Sequence, residues 1–324
     1  RKYELSKDIK WVQSARYYSD QASELNSGLP EVNIVRGIIH EGTGHYQQAL
    51  QDFQKVLNVN PSDLSALRGI AKSYESSGKI EKAKTVYENM FQLKPQYWFI
   101  YNDFGKFYYR IGQYEEAIEQ FQKVINLIPE NPRGYGNLGA CYFQLENLKK
   151  ASDIFRQALK ISPGYPLYSN LGTLYFYQGD YPNSVKMYEK ALEIFDGEYI
   201  VWGNLAAAYY WLPEKRAKAY DLYQRAISLA KSQLTVDPKN KDILSDLASY
   251  YATINEPEKA NAILKKILAM GVHDVEVLYR IGEIYVLLGN REEGIKWLKK
   301  AQDKGYSVKK IKANPFLKDM LAYE

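Results

Sequence analysis

The stretch WFIYNDFGKFYYRIGQYEEAIEQFQKVINLIPEN, residues 98–131, decides how this chain folds. Tyr101, Phe104, Gly105 and Tyr108 recur at three- and four-residue steps, the apolar period of an α-helix. Gly112 stops that half. Tyr114, Ala117, Phe121, Val124 and Leu127 then form the stripe of a second helix, which Pro129 ends. Small residues let two helices approach, and large aromatics fill the groove beside them.

Outward from this stretch the pattern returns. Eight segments begin near Pro30, Leu64, Trp98, Pro132, Tyr165, Tyr199, Lys241 and Val275, at spacings of 34, 34, 34, 33, 34, 42 and 34. Each carries a small residue (Gly37, Ala71, Gly105, Gly139, Gly172, Ala206, Ala248, Gly282) and, three positions on, His40 or a tyrosine. A second small residue follows (Ala49, Ala83, Ala117, Ala151, Ser184, Ala219, Ala260, Gly294). Four positions later stands Phe53, Tyr87, Phe121, Phe155, Tyr188, Tyr223, Leu264 or Leu298. A period of this length means an array. One helix pair cannot bury its apolar face alone, so each requires a neighbour.

Residues 98–131 resemble the tetratricopeptide repeat at nearly every signature position. The resemblance covers residues 30–308 and implies an all-α, right-handed superhelical solenoid of about eight helical hairpins. It implies repeats at 30–63, 64–97, 98–131, 132–164, 165–198, 199–240, 241–274 and 275–308. An N-terminal helix or degenerate repeat is expected at 1–29, and short C-terminal capping helices at 309–324. A further resemblance is carried by LYSNLGTLYFYQGDY, VWGNLAAAYYW, the stretched linker and IKANPFLKDM. It is to the C-terminal arrays of bacterial eukaryotic-like serine/threonine kinases, adenylate cyclases and winged-helix regulators, and implies a multidomain signalling parent.

Composition narrows the classes. A chain of 324 residues has room for two ordinary domains, but contacts in an array run between neighbours, so one continuous domain is expected. The net charge of +5 is modest, and no dense basic stripe argues for nucleic acid. Cys141 is the single cysteine, which excludes an intrachain disulfide; it reads as a small apolar filler inside a first helix. No run of 18 apolar residues predicts membrane insertion. The sequence begins at Arg1 without methionine, which leaves open an upstream leader or membrane segment and either a cytoplasmic or an extracytoplasmic location.

Three places depart from the period. Near the start, Asp8 could cap a helix striped by Trp11, Ala15, Tyr18, Ala22 and Leu25. The sixth repeat is eight residues too long, with one extra residue near Pro213 and about seven between Ala226 and Pro238. Seven residues make two helical turns, so Tyr220, Tyr223, Ile227, Ala230 and Leu234 could run along one long helix; a loop is the alternative. At the far end Ser307 and Asn314 are candidate N-caps, Pro315 suits a first helical turn, and several lysines make the end basic.

Catalytic chemistry finds no footing. His40, His45 and His273 are the only histidines, and no acid or cysteine pattern completes a zinc site. No phosphate-loop motif, nucleophile elbow or kinase signature is present. Glu115–Glu116 and Glu292–Glu293 begin second helices, where negative charge suits the helix dipole. No catalytic residue, metal or cofactor is expected, and no enzyme activity of this chain.

In the resembled family, ligands lie along a concave face lined by the first helices. The resemblance places Asn137, Asn170 and Asn204 there, two positions before the small packing residue of three successive repeats. This series resembles the asparagine ladder of the O-linked N-acetylglucosamine transferase array, whose amides would read a peptide backbone; bonds between neighbouring repeats are the alternative. Val35, Gly69 and Asp103 interrupt the series before it, Asp246 and Arg280 after it. Tyr109, Phe143, Phe176 and Tyr210 should show on the same face, with Tyr177 and Trp211 next to them, exposed for a ligand or partly buried against adjacent helices. Arg68, Lys72, Lys106, Arg110 and Arg133 make the N-terminal part basic and suited to an acidic partner segment. The family's clamp for chaperone C-termini is not expected, because Ile34 and Ile38 stand where its leading Lys and Asn would be. The expected function is protein–protein interaction with an extended peptide. The alternatives are a regulatory segment of a kinase or cyclase, or a self-assembling scaffold joined through terminal repeats.

Overall fold

The computed structural model describes residues 9–26 and 28–318. It divides into two compact units, Arg1–Pro163 and Gly164–Glu324. Among the described residues every regular element is helical.

The first unit contains α1 (Ile9–Leu25), α2 (Pro30–Gly42), α3 (Tyr46–Val59), α4 (Leu64–Ser76), α5 (Ile80–Leu93), α6 (Trp98–Arg110), α7 (Tyr114–Leu127), α8 (Pro132–Gln144) and α9 (Leu148–Ile161). The second contains α10 (Tyr165–Tyr177), α11 (Tyr181–Ile194), α12 (Tyr199–Tyr210), α13 (Arg216–Leu234), α14 (Lys241–Thr253), α15 (Pro257–Ala269), α16 (Val275–Leu287), α17 (Arg291–Asp303) and α18 (Val308–Ala313). In both, consecutive helices pair as hairpins.

The hairpin turn is written in the sequence. Gly112 adopts a φ of 80°, a left-handed conformation that costs a side chain energy. The next N–H, of Gln113, donates to the Tyr108 carbonyl at 2.9 Å, closing α6 in the six-to-one bond of a Schellman motif. The same bond links Lys79 to Tyr74, Asn147 to Tyr142 and Asn290 to Tyr285. Two turns lack glycine yet keep the conformation: Glu146 has a φ of 60° and Asn255 of 61°.

Packing inside a hairpin explains the small-residue positions. Phe121 of α7 presses on Gly105 of α6 so closely that an added Cβ would stand 2.7 Å from the ring. Tyr188 of α11 does the same at Gly172 of α10. These rings are buried, as are Phe53, Tyr87, Phe155 and Tyr223 at the equivalent place. Cys141 is buried in the core of the first unit, and burial pushes its thiol up to about 12, which makes it inert filler.

The departures resolve as follows. The stretched part of the sixth repeat is the single 19-residue helix α13. Its buried face runs through Ala219, Tyr223, Ala226, Ile227 and Ala230; Tyr220, expected in the stripe, is exposed, because the stripe enters the helix one residue earlier. In α1 the expected stripe is likewise displaced: Tyr17 and Tyr18 are 61% and 69% exposed, while Ser19 is buried. The proposed cap Asp8, and the side chains of Trp11 and Leu25, lie outside the described residues. At the other end Ser307 caps α18 by accepting the Lys310 N–H at 3.3 Å. Asn314 accepts the Phe316 N–H at 2.9 Å, but turns rather than a helix follow over the described residues. The side-chain amide of Asn314 is turned inward, where it donates to the Tyr279 hydroxyl and to Glu283, each at 2.6 Å.

Candidate functional site

In the first unit the expected site residues lie on α6 and α8. Asn137 does not stand alone: its side-chain N–H donates to the buried Asn102 amide oxygen of α6 at 2.9 Å. At least one donor of this amide therefore joins neighbouring repeats. Asn102 was not singled out in the sequence, because it sits one position before the aligned slot. The flanking interruptions also have a reason: Arg68 donates to Asp103 at 3.2 Å, so an ion pair holds neighbouring repeats where the asparagine is missing.

Tyr109 and Phe143 are half-buried. The Tyr109 hydroxyl accepts the Gln144 amide N–H at 2.8 Å, and its ring meets Tyr114 edge-on at 5.5 Å. The basic residues divide in two groups. Arg68 pairs with Asp103, Lys72 with Glu41 at 3.9 Å, and Arg110 grips both oxygens of Glu75. Lys106 and Arg133 have no ion pair among the described residues. Burial is the first cause that pushes the Lys106 ammonium below its ordinary pKa, helped by Arg110, Arg133 and Arg68 and opposed by Asp103. The result is a surplus of positive charge beside two half-buried rings.

In the second unit the first helices α10, α12, α14 and α16 together line a cavity of about 170 Å³. Asn204, Phe176 and Tyr177 are in its wall. Asn204 also bonds the Tyr188 hydroxyl, whose pKa burial raises first of all. Tyr210 and Trp211 do not line the cavity; they pack on Phe316, which does, with ring centroids 5.4 and 5.3 Å away. Asn170 is half-buried and lies outside the cavity wall. The aromatic stretch continues from Phe176 to Tyr181 at 5.5 Å and from Tyr181 to Trp211, stacked at 6.1 Å. These rings are half-buried against their neighbours rather than fully exposed.

The charged centre of this unit is Arg280, on the wall of the cavity. Its Nη1 donates to Glu283 at 3.2 Å; Nη2 lies 3.5 Å from Asp246 and Nε 3.9 Å from Glu276. Burial alone would push the guanidinium down, but Asp246, Glu283 and Glu276 outweigh it and hold the pKa well above ordinary. Burial is the leading reason that Asp246 and Glu276 are raised, with Arg280 opposing. Tyr199 donates to Asp246 at 2.9 Å, and Ser249 to Glu283 at 3.4 Å. Arg280 and Asp246 were the interruptions after the asparagine series. Opposite charges one repeat apart, as with Arg68 and Asp103, were the signal available in the sequence. Nothing in it pointed to Glu283, Asn314 or Phe316 as part of the same wall.

His40 Nδ1 lies 2.7 Å from a carboxylate oxygen of Asp52, which accepts its ring N–H, inside the first hairpin. Among the described residues no three histidine, cysteine or acidic side chains could hold a metal ion, and no helix is long and apolar enough to cross a membrane.

Consecutive hairpins with small-to-aromatic packing define an all-α helical-repeat protein. The chain belongs to the tetratricopeptide-repeat family. Profiles described as tetratricopeptide repeat match residues 30–63, 67–97, 132–165, 165–196 and 275–303, and one described as TPR repeat matches 105–146. Repeats of this family generally mediate protein–protein interaction, and the fold is typically a non-catalytic scaffold. No curated protein matches the sequence. Among solved structures the chain is similar to one of the APC/C hetero-tetramer Cut9–Hcn1, at 16% identity and a TM-score of 0.57 over 94% of this chain. It spans 59% of the length of that relative. A tetratricopeptide repeat protein from Parabacteroides merdae ATCC 43184 is similar at 16% identity and a TM-score of 0.51, over 78% of this chain and 97% of that one. At these identities the likeness is one of fold.

Proposed function

We propose that this chain is a non-catalytic scaffold that binds an extended partner segment along its first helices, and that the first unit selects an acidic one. The observation that carries the reading is the division of the basic residues on α4, α6 and α8. Arg68, Lys72 and Arg110 are answered by carboxylates, whereas Lys106 and Arg133 are not, and Tyr109 and Phe143 stand on the same helices. Surplus charge steers and orients a partner, and the rings supply contact area. The amides of Asn170 and Asn204 add backbone-reading groups in the second unit, and Phe176, Tyr177, Tyr210 and Trp211 add aromatic surface.

An array of random decapeptides, probed with the purified chain, tests this. Acidic sequences should be enriched, at affinities in the range of about −8 kcal/mol. The double change Lys106→Glu and Arg133→Glu should abolish the enrichment while the helical circular dichroism stays unchanged. Enrichment that survives the charge reversal overturns the acidic-segment reading. Each of Asn170→Ala and Asn204→Ala should weaken a ligand bound to the second unit by about 1 kcal/mol.

The resemblance of residues 167–181 and 201–211 to bacterial signalling arrays favours a parent in which this scaffold regulates a kinase or cyclase domain. Reading the genomic frame upstream of Arg1 tests it, and a lone array sinks it. A second reading, a scaffold that assembles through its N-terminal end, is favoured by Tyr17, Tyr18, Val35 and Ile38, all exposed on α1 and α2. Light scattering over a concentration series decides that reading, and a concentration-independent monomer removes it.

A further inference from the structure

We propose that the cavity of the second unit receives the alkylammonium end of a lysine side chain presented by a partner segment. The proposal rests on the scaffold reading above and names the chemistry of one of its subsites.

Size sets the first limit. A hollow of about 170 Å³ has room for the end of one long side chain. The closing segment of the chain walls one side of the space: Phe316 lies against Tyr210 and Trp211, and Asn314 is held by Tyr279 and Glu283. Ile311 and Leu317 anchor this segment in the core beside Leu278 and Leu298, so this wall is part of the fold. A hollow of this size, walled on one side by the chain's own end, suits a side chain reaching in from a partner segment.

The walls choose the side chain. Phe176, Tyr177, Tyr250, Tyr279 and Phe316 contribute rings, whose faces attract a cation, most strongly where water is excluded. Arg280 does not reverse this preference. Its Nη1 donates to Glu283, and Nη2 and Nε stand within 4 Å of Asp246 and Glu276, so its charge is answered from three sides. One positive charge among Asp246, Glu276 and Glu283 leaves the centre negative, and Asp242 and Asp274 add to the same field, with Lys241 and Lys310 opposing. The oxygens of Thr173, Ser249 and Asn204 line the space and can accept the N–H groups of an ammonium. A neutral alkyl end would leave that negative field unanswered, and a carboxylate would oppose it.

The test uses the whole chain labelled with 5-fluorotryptophan. Trp211, one of five tryptophans, touches Phe316 and is assigned by Trp211→Phe. Fluorine spectra are recorded while n-butylammonium, n-butanol or butyrate is added, and then acetyl-Gly-Lys-Gly-amide or its norleucine analogue. A saturable shift of the Trp211 line is expected, with n-butylammonium about fivefold or more tighter than n-butanol. The lysine peptide should bind at least as tightly as the free amine and its norleucine analogue weakly. Glu276→Gln, a change at a half-exposed position, should reduce the ammonium preference about threefold without disturbing the fold. Equal binding of alcohol and ammonium, tighter binding of butyrate, or no saturable shift overturns the proposal. So does binding of the free amine without the lysine peptide. Acidic-peptide binding at Lys106 and Arg133 is measured separately, so a failure here does not count against the scaffold reading itself.

Discussion

Removing Arg280 gives a stability prediction whose size and pH dependence both follow from its surroundings. Arg280→Met keeps much of the side chain's volume and deletes the cation that Asp246, Glu276 and Glu283 all face within 4 Å. Asp246 and Glu283 are poorly reached by water, at 14% and 6% side-chain exposure, and would lose the cation that both face. Breaking a buried ion pair from one side costs about 3–5 kcal/mol. Arg280 itself is 35% exposed along the cavity, so solvent screening reduces the expected loss to about 2–3 kcal/mol. Arg280→Lys should recover only part of it, because one ammonium cannot face three carboxylates at once. The pH dependence has a definite sign. Asp246 faces Arg280 and Glu283 of α16, the Tyr199 hydroxyl of α12 and, on its own helix, Asp242. Burial already raises its folded pKa above the ordinary 3.8, and losing Arg280 removes the main opposing influence. A carboxyl with a raised folded pKa supports the fold fully below its unfolded pKa and loses that support as pH rises through the folded value. The penalty of Arg280→Met should therefore be largest near neutrality and shrink as pH falls into the raised carboxyl range. Hydrogen exchange of the amides in α14 and α16 at several pH values reads this locally, without assuming two-state unfolding. A variant within about 0.5 kcal/mol of the parent at neutral pH, or a penalty that grows on acidification, refutes the reasoning.

Glu146→Gly should raise stability by about 0.5–1 kcal/mol, since the residue holds a φ of 60° that glycine adopts without strain; urea midpoints check it, and a destabilised variant contradicts it. Phe121→Ala should cost about 3–5 kcal/mol, because the ring is buried and the cavity opens against Gly105; exchange in α6 and α7 should rise before that in α3. Cys141, with its thiol pushed up to about 12, should resist iodoacetamide in the folded protein and react at the rate of unfolding; prompt alkylation would show it exposed.

The fold was legible because each level of the sequence carries the same period. Gly105 and Phe121 announce a close crossing, Gly112 the turn, and Tyr108 the carbonyl that closes it. Redundancy of this kind survives individual exceptions. Glu146 keeps the turn without glycine because the two flanking helices are held by packing that outweighs a strained residue. The long α13 was half legible: its extra seven residues amount to two turns and leave the buried face in register, but a loop of the same length fitted the sequence as well. What failed was phase at single residues: Tyr18 and Tyr220 are apolar enough to join a stripe on paper, but the neighbouring Ser19 and Ala219 take the buried place. An amphipathic tyrosine sits well at a boundary, so its presence does not locate the inner face.

The site was less legible because an array uses the same slots for cohesion and for display. Alignment finds Asn137, Asn170 and Asn204 in equivalent places, yet their partners differ: Asn137 meets Asn102, Asn204 meets Tyr188, and the equivalent Asp246 meets Arg280. A slot two positions before the packing residue thus joins repeats first, and only what it leaves unanswered is available to a ligand. Those remainders cannot be read from one repeat. Lys106 stands out only once Glu75 is seen to be taken by Arg110, and the negative excess around Arg280 only once three carboxylates from α14 and α16 are counted against it. The closing segment makes the same point. ANPF looked like the start of a cap, but Asn314 and Phe316 reach inward to side chains of α12 and α16, contacts with no sequence signature because they join positions far apart in the chain. Period predicts packing in such a protein; the charges and amides that the packing does not use are what the proposed binding reading draws on.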